Sequence, residues 1–166
     1  MKPARRQSLA SETRSDPSAP MATPAHRFQT VARFDQLKSL RRLVRENAQA
    51  LGFSERESFA CELAADEAFT NIVQHAYGGE SDSPIVVRFR RGADRLLISF
   101  VDLGPPWDPR PPAAPNWNSS PDQLAVGGLG RLIIERSMDR VAYRRRGARN
   151  HLMLCKCRSA AGADSS

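Results

Sequence analysis

The sequence lacks any long run of apolar residues, and it contains few aromatic residues and few cysteines. Aromatic residues make up 7% of the 166 residues, and no apolar run approaches the roughly 20 residues that a helix needs to cross a bilayer. The N-terminal stretch MKPARRQSLASETRSDPSAP carries basic residues without the apolar segment of a secretory signal. These absences argue against a membrane-spanning or secreted protein and predict a cytoplasmic one.

The three cysteines are Cys61, Cys155 and Cys157, an odd number without a C-x-x-C pair. This pattern favours reduced thiols over a disulfide framework or a structural zinc site. His151 lies close to Cys155 and Cys157 in the sequence, so a metal site formed by these three residues is the alternative to ordinary strand residues. We expect strand residues here.

A net charge of +7 and a pI near 10.1 raise the question of nucleic-acid binding. The central residues 31–130 nevertheless carry 11 basic and 13 acidic groups, so the excess positive charge lies toward the two ends. The dense basic cluster YRRRGAR, residues 143–149, lies where a hairpin turn is expected. We interpret it as a solvated turn, with a nucleic-acid patch as the less favoured alternative, and we expect no direct binding of nucleic acid.

The composition divides the chain into one domain and two tails. Residues 1–25 are rich in Pro, Ser, Ala and Arg without periodicity, which predicts a disordered tail. Residues 26–157 have the length and apolar content of one compact domain. Residues 158–166 form a small polar tail.

The first half of the domain predicts a short strand and two helices. We expect the strand over residues 27–32 and the first helix over 35–51, where apolar residues recur at spacings of three and four. Ser54 with Glu57 three residues later forms a capping box, which predicts the start of a second helix running to about Tyr77.

The second half of the domain alternates strands with connecting segments. The predicted elements are a hairpin of residues 85–91 and 95–102, an irregular proline-rich loop over 105–126, a helix over 132–138, and a hairpin of 141–145 and 151–156 that turns at 147–150. This order predicts an α+β fold of two layers, with helices on one face of a mainly antiparallel mixed sheet.

The second helix carries Glu67, Asn71 and His75 at intervals of four, so the three side chains form one strip. The strip borders small and apolar residues, and we therefore expect it to be partly buried. Partly buried polar groups need partners. The alternative to a functional site is a polar flank of the helix, with His75 hydrogen-bonded to a neighbouring turn.

Two further features point to a ligand. Asp102 ends an apolar strand and is followed by Gly104, which is typical of a carboxylate at a sheet rim where backbone comes close to another group. The stretch GGLG, residues 127–130, leads into a helix, where free backbone N–H groups attract an anion. Each feature alone fits a turn or a loop exit, but together with the helical strip they predict a nucleotide site.

The segments DEAFTNIVQHAYG, DLGPPWDP and GGLGRLIIERSMDRVAYRR, with the N, L, L and K that follow, resemble the N, G1 and G2 boxes of the GHKL ATPase superfamily. They are most similar to the anti-sigma-factor serine kinases. The resemblance covers roughly residues 26–157 and implies the Bergerat fold, a two-layer α/β sandwich, with ATP and Mg²⁺ as cofactors. The joint order of three motifs is more specific than any one of them.

The resemblance also implies a role for each matched residue. Glu67 matches a general base toward the attacking hydroxyl, and Asn71 matches the ligand of Mg²⁺. Asp102 matches the aspartate that accepts a hydrogen bond from the adenine amino group, and Gly104 lets the backbone close on the base. His75 is expected to orient the helix end. The phosphate-binding end of the ATP lid matches Gly127, Gly128, Leu129 and Gly130.

Two positions depart from the family pattern: Pro106 replaces the second glycine of D-x-G-x-G, and Arg131 stands where many relatives carry an aliphatic residue.

The function that the resemblance implies is a serine kinase that phosphorylates a small anti-anti-sigma (STAS-type) partner and exchanges it for a sigma factor. The alternative is a non-catalytic, ATP-dependent binding module that sequesters a sigma factor or another regulator. A homodimer is also considered, and a membrane partner is not expected.

Overall fold

The computed structural model describes residues 26–106 and 129–159, which form three α-helices and five strands. A single 3-10 turn, Phe34–Gln36, precedes the first α-helix, and a π-helical turn, Ile72–Ala76, follows the second. In chain order the elements are β1 (His26–Val31), α1 (Leu37–Gln49), α2 (Glu55–Asn71), β2 (Pro84–Arg91), β3 (Arg95–Asp102), α3 (Leu129–Ser137), β4 (Arg140–Arg146) and β5 (Arg149–Cys157).

The strands form one sheet in the order β1-β2-β3-β5-β4. Each neighbouring pair in this order is antiparallel, so parallel pairing is absent from the described sheet. Alternate strand residues such as Val87, Ile98 and Phe100 are fully buried, and they face the helices. The predicted α+β fold of two layers is confirmed.

The helical layer has α2 at its centre, with α1 on one side and α3 on the other. Ion pairs join α1 to α2: Arg41 Nε lies 2.5 Å from Asp66 Oδ2, and Arg45 binds both carboxylate oxygens of Glu62 at 2.7 and 2.9 Å. None of the described helices has the length and apolar character of a membrane span.

The predicted capping box at the start of α2 is present. The backbone N–H of Glu57 donates to Ser54 Oγ at 3.2 Å, and the N–H of Ser54 donates to Glu57 Oε2 at 2.7 Å. The N–H of Ser159 donates to the other oxygen of Glu57 at 2.6 Å and so ties the end of the sheet to α2. Burial acts to raise the pKa of Glu57, but the bonds from Ser159 and Ser54 outweigh it and hold the pKa at about 2.

The structure corrects the predicted bounds in three places. The second helix ends as an α-helix at Asn71, and the π-helical turn carries the chain on to Tyr77. The third helix begins at Leu129 instead of residue 132, so Gly130 lies in its first turn. The second hairpin turns tightly beside Gly147, whose φ is +55°, and Asn150 is therefore a strand residue and not a turn residue. Propensity misses the start of the third helix because packing overrides the low helix preference of Gly130.

Candidate functional site

Glu67 and Asn71 lie on the last turns of α2, and both side chains are partly buried, as the spacing predicts. Neither side chain has a hydrogen bond or an ion pair with any described residue. A partly buried carboxylate without a partner is costly unless a ligand or water satisfies it. These two side chains are therefore available to bind a ligand.

Gly130 brings the start of α3 against this pair. A Cβ atom added to Gly130 would lie 2.5 Å from Glu67 Oε2 and 3.6 Å from each amide atom of Asn71. A larger residue here would force the Glu67 carboxylate to move, so glycine lets the start of α3 lie against the carboxylate in its present position. The N-terminus of a helix carries partial positive charge and free N–H groups, so this contact places an anion-binding feature beside Glu67 and Asn71.

The remaining predicted residues of the phosphate-binding segment are only partly covered. Gly127 and Gly128 lie outside the described residues. Leu129 is the first residue of α3. Of the predicted lid, residues 107–128 lie outside the described part of the chain, so the structure bears on its two ends only.

Asp102 ends β3 and is 5% exposed, although it carries a carboxylate. Its Oδ1 accepts hydrogen bonds from Gly104 N at 2.9 Å and from Asn150 Nδ2 at 2.7 Å. The other oxygen, Oδ2, has no partner among the described residues. One oxygen thus fixes the carboxylate, and the second is left to accept a hydrogen bond from a ligand.

Asn150 is the main residue of the site that the sequence reasoning missed. It faces Asp102 across the β3–β5 pair, and its Nδ2 also lies 2.9 Å from the carbonyl oxygen of Pro105. Its Oδ1 accepts from Tyr143 Oη at 2.8 Å and from Arg145 at 2.7 Å. The sequence signal is the asparagine at the start of an apolar strand, but its register against Asp102 is a tertiary property.

Gly104 packs against the turn that follows α2. A Cβ at Gly104 would lie 2.5 Å from the Cβ of Ala76 and 3.0 Å from its carbonyl oxygen. The sequence predicted that the backbone at Gly104 comes close to another group, and among the described residues that group is Ala76.

The neighbouring Tyr77 hydroxyl donates to Pro84 O and accepts from Leu103 N, both at 2.9 Å. Burial raises the pKa of Tyr77, so its hydroxyl remains a donor at neutral pH.

His75 does not take the role that was expected for it. Its side chain is exposed and has no hydrogen bond with a described residue, so the prediction that it lies in the buried strip and orients the helix end is wrong. The π-helical turn Ile72–Ala76 has more residues per turn than an α-helix, which rotates His75 away from Glu67 and Asn71. Tyr77 makes the contacts that fix this end.

Two other sequence features that were singled out are Arg131 and the possible metal site at His151, Cys155 and Cys157. Arg131 Nε donates to Glu135 Oε1 at 2.8 Å, an i,i+4 pair on α3. Within the described residues, no group of three His, Cys, Asp or Glu side chains is placed to hold a metal. A metal site at His151, Cys155 and Cys157 therefore finds no support there.

The model of one protein family matches residues 30–156, and its description is Histidine kinase-like ATPase domain. The chain belongs to this family. The match covers the described site from Glu67 to Asn150, and it confirms the superfamily that the three sequence motifs indicated.

Curated relatives in this family are protein kinases. The chain is 32% identical to serine/threonine-protein kinase BtrW of Bordetella bronchiseptica over 102 residues, which are 61% of this chain and 72% of that protein. It is 37% identical to serine-protein kinase RsbW of Bacillus licheniformis over 98 residues, and 34% identical to RsbW of Bacillus subtilis over 100 residues. Each RsbW match covers 57% of this chain and 61% of that kinase, so the chain spans less than two thirds of their length. The predicted relationship to serine kinases is confirmed.

Solved structures share the fold. The RsbU and RsbW domains of a Mycobacterium tuberculosis protein match with a TM-score of 0.58 at 18% identity, over 83% of this chain and 33% of that chain. The SiaB–SiaC complex of Pseudomonas aeruginosa matches with a TM-score of 0.54 at 16% identity, over 78% of this chain and 88% of that chain.

Proposed function

We propose that this protein is an ATP-dependent serine kinase that transfers the γ-phosphoryl group of ATP to a serine of a small anti-anti-sigma (STAS-type) protein in the cytoplasm. In this proposal it also binds a sigma factor and exchanges the two partners. The similarity to the serine kinases BtrW and RsbW supports the reaction class. The observation that carries the proposal is the unpartnered Glu67 carboxylate beside Asn71 and Gly130.

Glu67 is the proposed general base. In phosphoryl transfer an enzyme mainly positions the groups and neutralises charge, while a carboxylate orients the attacking hydroxyl and accepts its proton. Glu67 suits this task because it is only partly buried and no described cation holds it. A protein that only binds partners has less need of such a base beside the phosphates.

Asn71 is the proposed metal ligand. Mg²⁺ prefers oxygen ligands, and the amide oxygen of Asn71 has no partner among the described residues. The donor set therefore fits the ion, which would neutralise charge on the phosphates. Gly130 and the N–H groups at the start of α3, with Gly127, Gly128 and Leu129 before it, are proposed to bind the phosphates.

Asp102 is the proposed adenine-binding residue. Its free Oδ2 can accept a hydrogen bond from the adenine amino group, while Asn150 and the N–H of Gly104 hold Oδ1. An acceptor at this position favours adenine over guanine, because guanine has a carbonyl oxygen where adenine has its amino group, and a carbonyl oxygen cannot donate a hydrogen bond to a carboxylate.

The proposal is tested by phosphoryl transfer from radiolabelled ATP to an anti-anti-sigma protein encoded near this gene, with a pull-down of the same pair. Glu67→Gln keeps the size of the side chain but removes the base, so it should retain ATP and partner binding while the transfer rate falls by about two to four orders of magnitude. Glu46→Gln, an exposed carboxylate on α1, is the matched control and should transfer phosphate normally.

Wild-type protein that binds ATP and its partner but never labels a serine would overturn the kinase proposal. That result would leave the non-catalytic binding module as the function. Equal transfer rates in wild type and Glu67→Gln would instead refute the role of Glu67.

A further inference from the structure

The sheet has one face that no described helix covers. Side chains alternate along each strand, so the residues that do not point to the helices form a second face, which we call the open face. Its central residues Leu97 and Met153 are partly exposed, whereas their neighbours Ile98 and Leu154 on the helical side are fully buried. The open face is therefore accessible apolar surface in the middle of the sheet.

Arginines lie on both sides of this apolar centre. Register places Arg88 and Arg90 of β2 on the open face, next to Ser99 and Leu97 of β3. On the other side, Arg140 and Arg144 of β4 lie next to Cys155 and His151 of β5. Since β3 and β5 separate β2 from β4, and strands are about 4.8 Å apart, the two rows of arginines are roughly 14 Å apart.

The charge of the open face is of one sign. Among its strand residues none is Asp or Glu, and Arg88, Arg90, Arg140 and Arg144 have no ion pair with a described residue. Register places His151 beside Arg144 on this face. Burial lowers the pKa of His151, and the positive charges of Arg144, Arg146, Arg88 and Arg149 lower it further. Clustered cations without counter-charges repel one another, so their presence needs a reason.

We propose that the open face is a docking surface for an acidic amphipathic helix of a partner protein. A helix with its side chains is about 10 to 12 Å wide, so it fits between the two rows of arginines. Its apolar stripe would cover Leu97 and Met153, and carboxylates on its flanks would pair with the arginines, whose planar groups bind carboxylates bidentately. This inference is independent of the proposed kinase reaction.

Charge and composition argue against other occupants. Residues 1–25 of this chain are themselves basic overall, and a second open face would bring arginine against arginine. A single-stranded nucleic acid would need aromatic rings for base stacking, and the open-face strand residues include no Phe, Tyr or Trp.

The test uses the full chain and a fluorescent synthetic helix of about 20 residues, with Leu along one stripe and Glu on both flanks. Methyl NMR of labelled methionines reports the position of the peptide. The peptide should shift the signal of Met153 on the open face and leave Met138, which is 5% exposed on the helical side, unchanged. Binding should weaken as salt is raised.

Two double variants and two further probes make the test specific. Arg90→Gln with Arg144→Gln should weaken peptide binding by roughly tenfold, whereas Arg42→Gln with Arg56→Gln, two exposed arginines of the helical layer, should change it little. A peptide of the same composition without helical periodicity should bind less tightly. Four results would each overturn the proposal. The first two are peptide binding without a shift of the Met153 signal and an equal loss of binding in both double variants. The other two are equal binding of the scrambled peptide and tighter binding of a single-stranded oligonucleotide at Met153.

Discussion

The side-chain amide of Asn150 donates to Oδ1 of Asp102 at 2.7 Å, and this bond joins the start of β5 to the end of β3 at the rim of the candidate site. The carboxylate that is proposed to bind adenine is therefore held by a residue from the other end of the domain. The same amide holds the chain at Pro105, where the proposed ATP lid begins.

Asn150→Ala should lower both stability and ATP affinity. It removes one of the two donors to the buried carboxylate of Asp102 and the side-chain donor to the carbonyl of Pro105, which costs about 1 to 3 kcal/mol in the free energy of unfolding. Denaturant unfolding and calorimetry with ATP check this. Tyr143→Phe removes one bond from the far side of Asn150 and should have a smaller effect; an equal loss in the two variants would contradict a positioning role for the Asn150 amide.

Asp102→Ala should reduce the preference for ATP over GTP. A hydrogen bond to a charged acceptor contributes about 1.5 to 3 kcal/mol, which corresponds to a loss of about one to two orders of magnitude in ATP affinity. Competition between the two nucleotides for wild type and variant measures the preference. Wild-type protein that binds both nucleotides equally well would show that Asp102 does not read the base.

Asn71→Ala should remove the part of ATP binding that depends on Mg²⁺. The proposed ligand is the amide oxygen, so the variant should have the same ATP affinity with and without EDTA, close to that of wild type in EDTA. Calorimetry in both conditions gives the comparison. If wild-type affinity were itself unchanged by EDTA, the metal role of Asn71 would be refuted.

Gly130→Ala should separate stability from activity. Alanine favours a helix over glycine by about 1 kcal/mol, so the melting temperature should stay the same or rise. The new Cβ would displace the Glu67 carboxylate, and a misplacement of about 1 Å in a catalytic group can cost as much as a hundredfold in rate. Phosphoryl transfer and thermal unfolding are measured together, with Ser137→Ala at the other end of α3 as the control. An unchanged transfer rate would argue against a functional contact between Gly130 and Glu67.

Deletion of residues 1–24 should leave the melting temperature and ATP binding nearly unchanged. The segment has no periodic apolar face that could pack on the domain. Thermal unfolding and calorimetry of the shortened chain check this expectation. A large fall in melting temperature would mean that the N-terminal segment docks on the domain.

The local elements of the fold were predictable because their signals lie within a few residues of each other. The capping box of Ser54 and Glu57 marks the start of α2, and alternation of side chains gives both hairpins. The start of α3 was predicted wrongly because a contact with a distant residue sets it. Leu129 starts α3 earlier than propensity suggests because Gly130 can approach α2, and no pattern around GGLG reports that contact.

The sequence by itself determined the family, the two layers, and the strip that holds Glu67 and Asn71, because periodicity and motif order fix which residues share a face. Only the tertiary structure decided which faces meet. It placed Asn150 against Asp102 and exposed His75 to solvent through the π-helical turn. It also brought to one open face arginines that are distant in the sequence, such as Arg88 and Arg144. Strand register and helix packing depend on the shape of all the buried side chains together, and no short stretch of sequence contains that information.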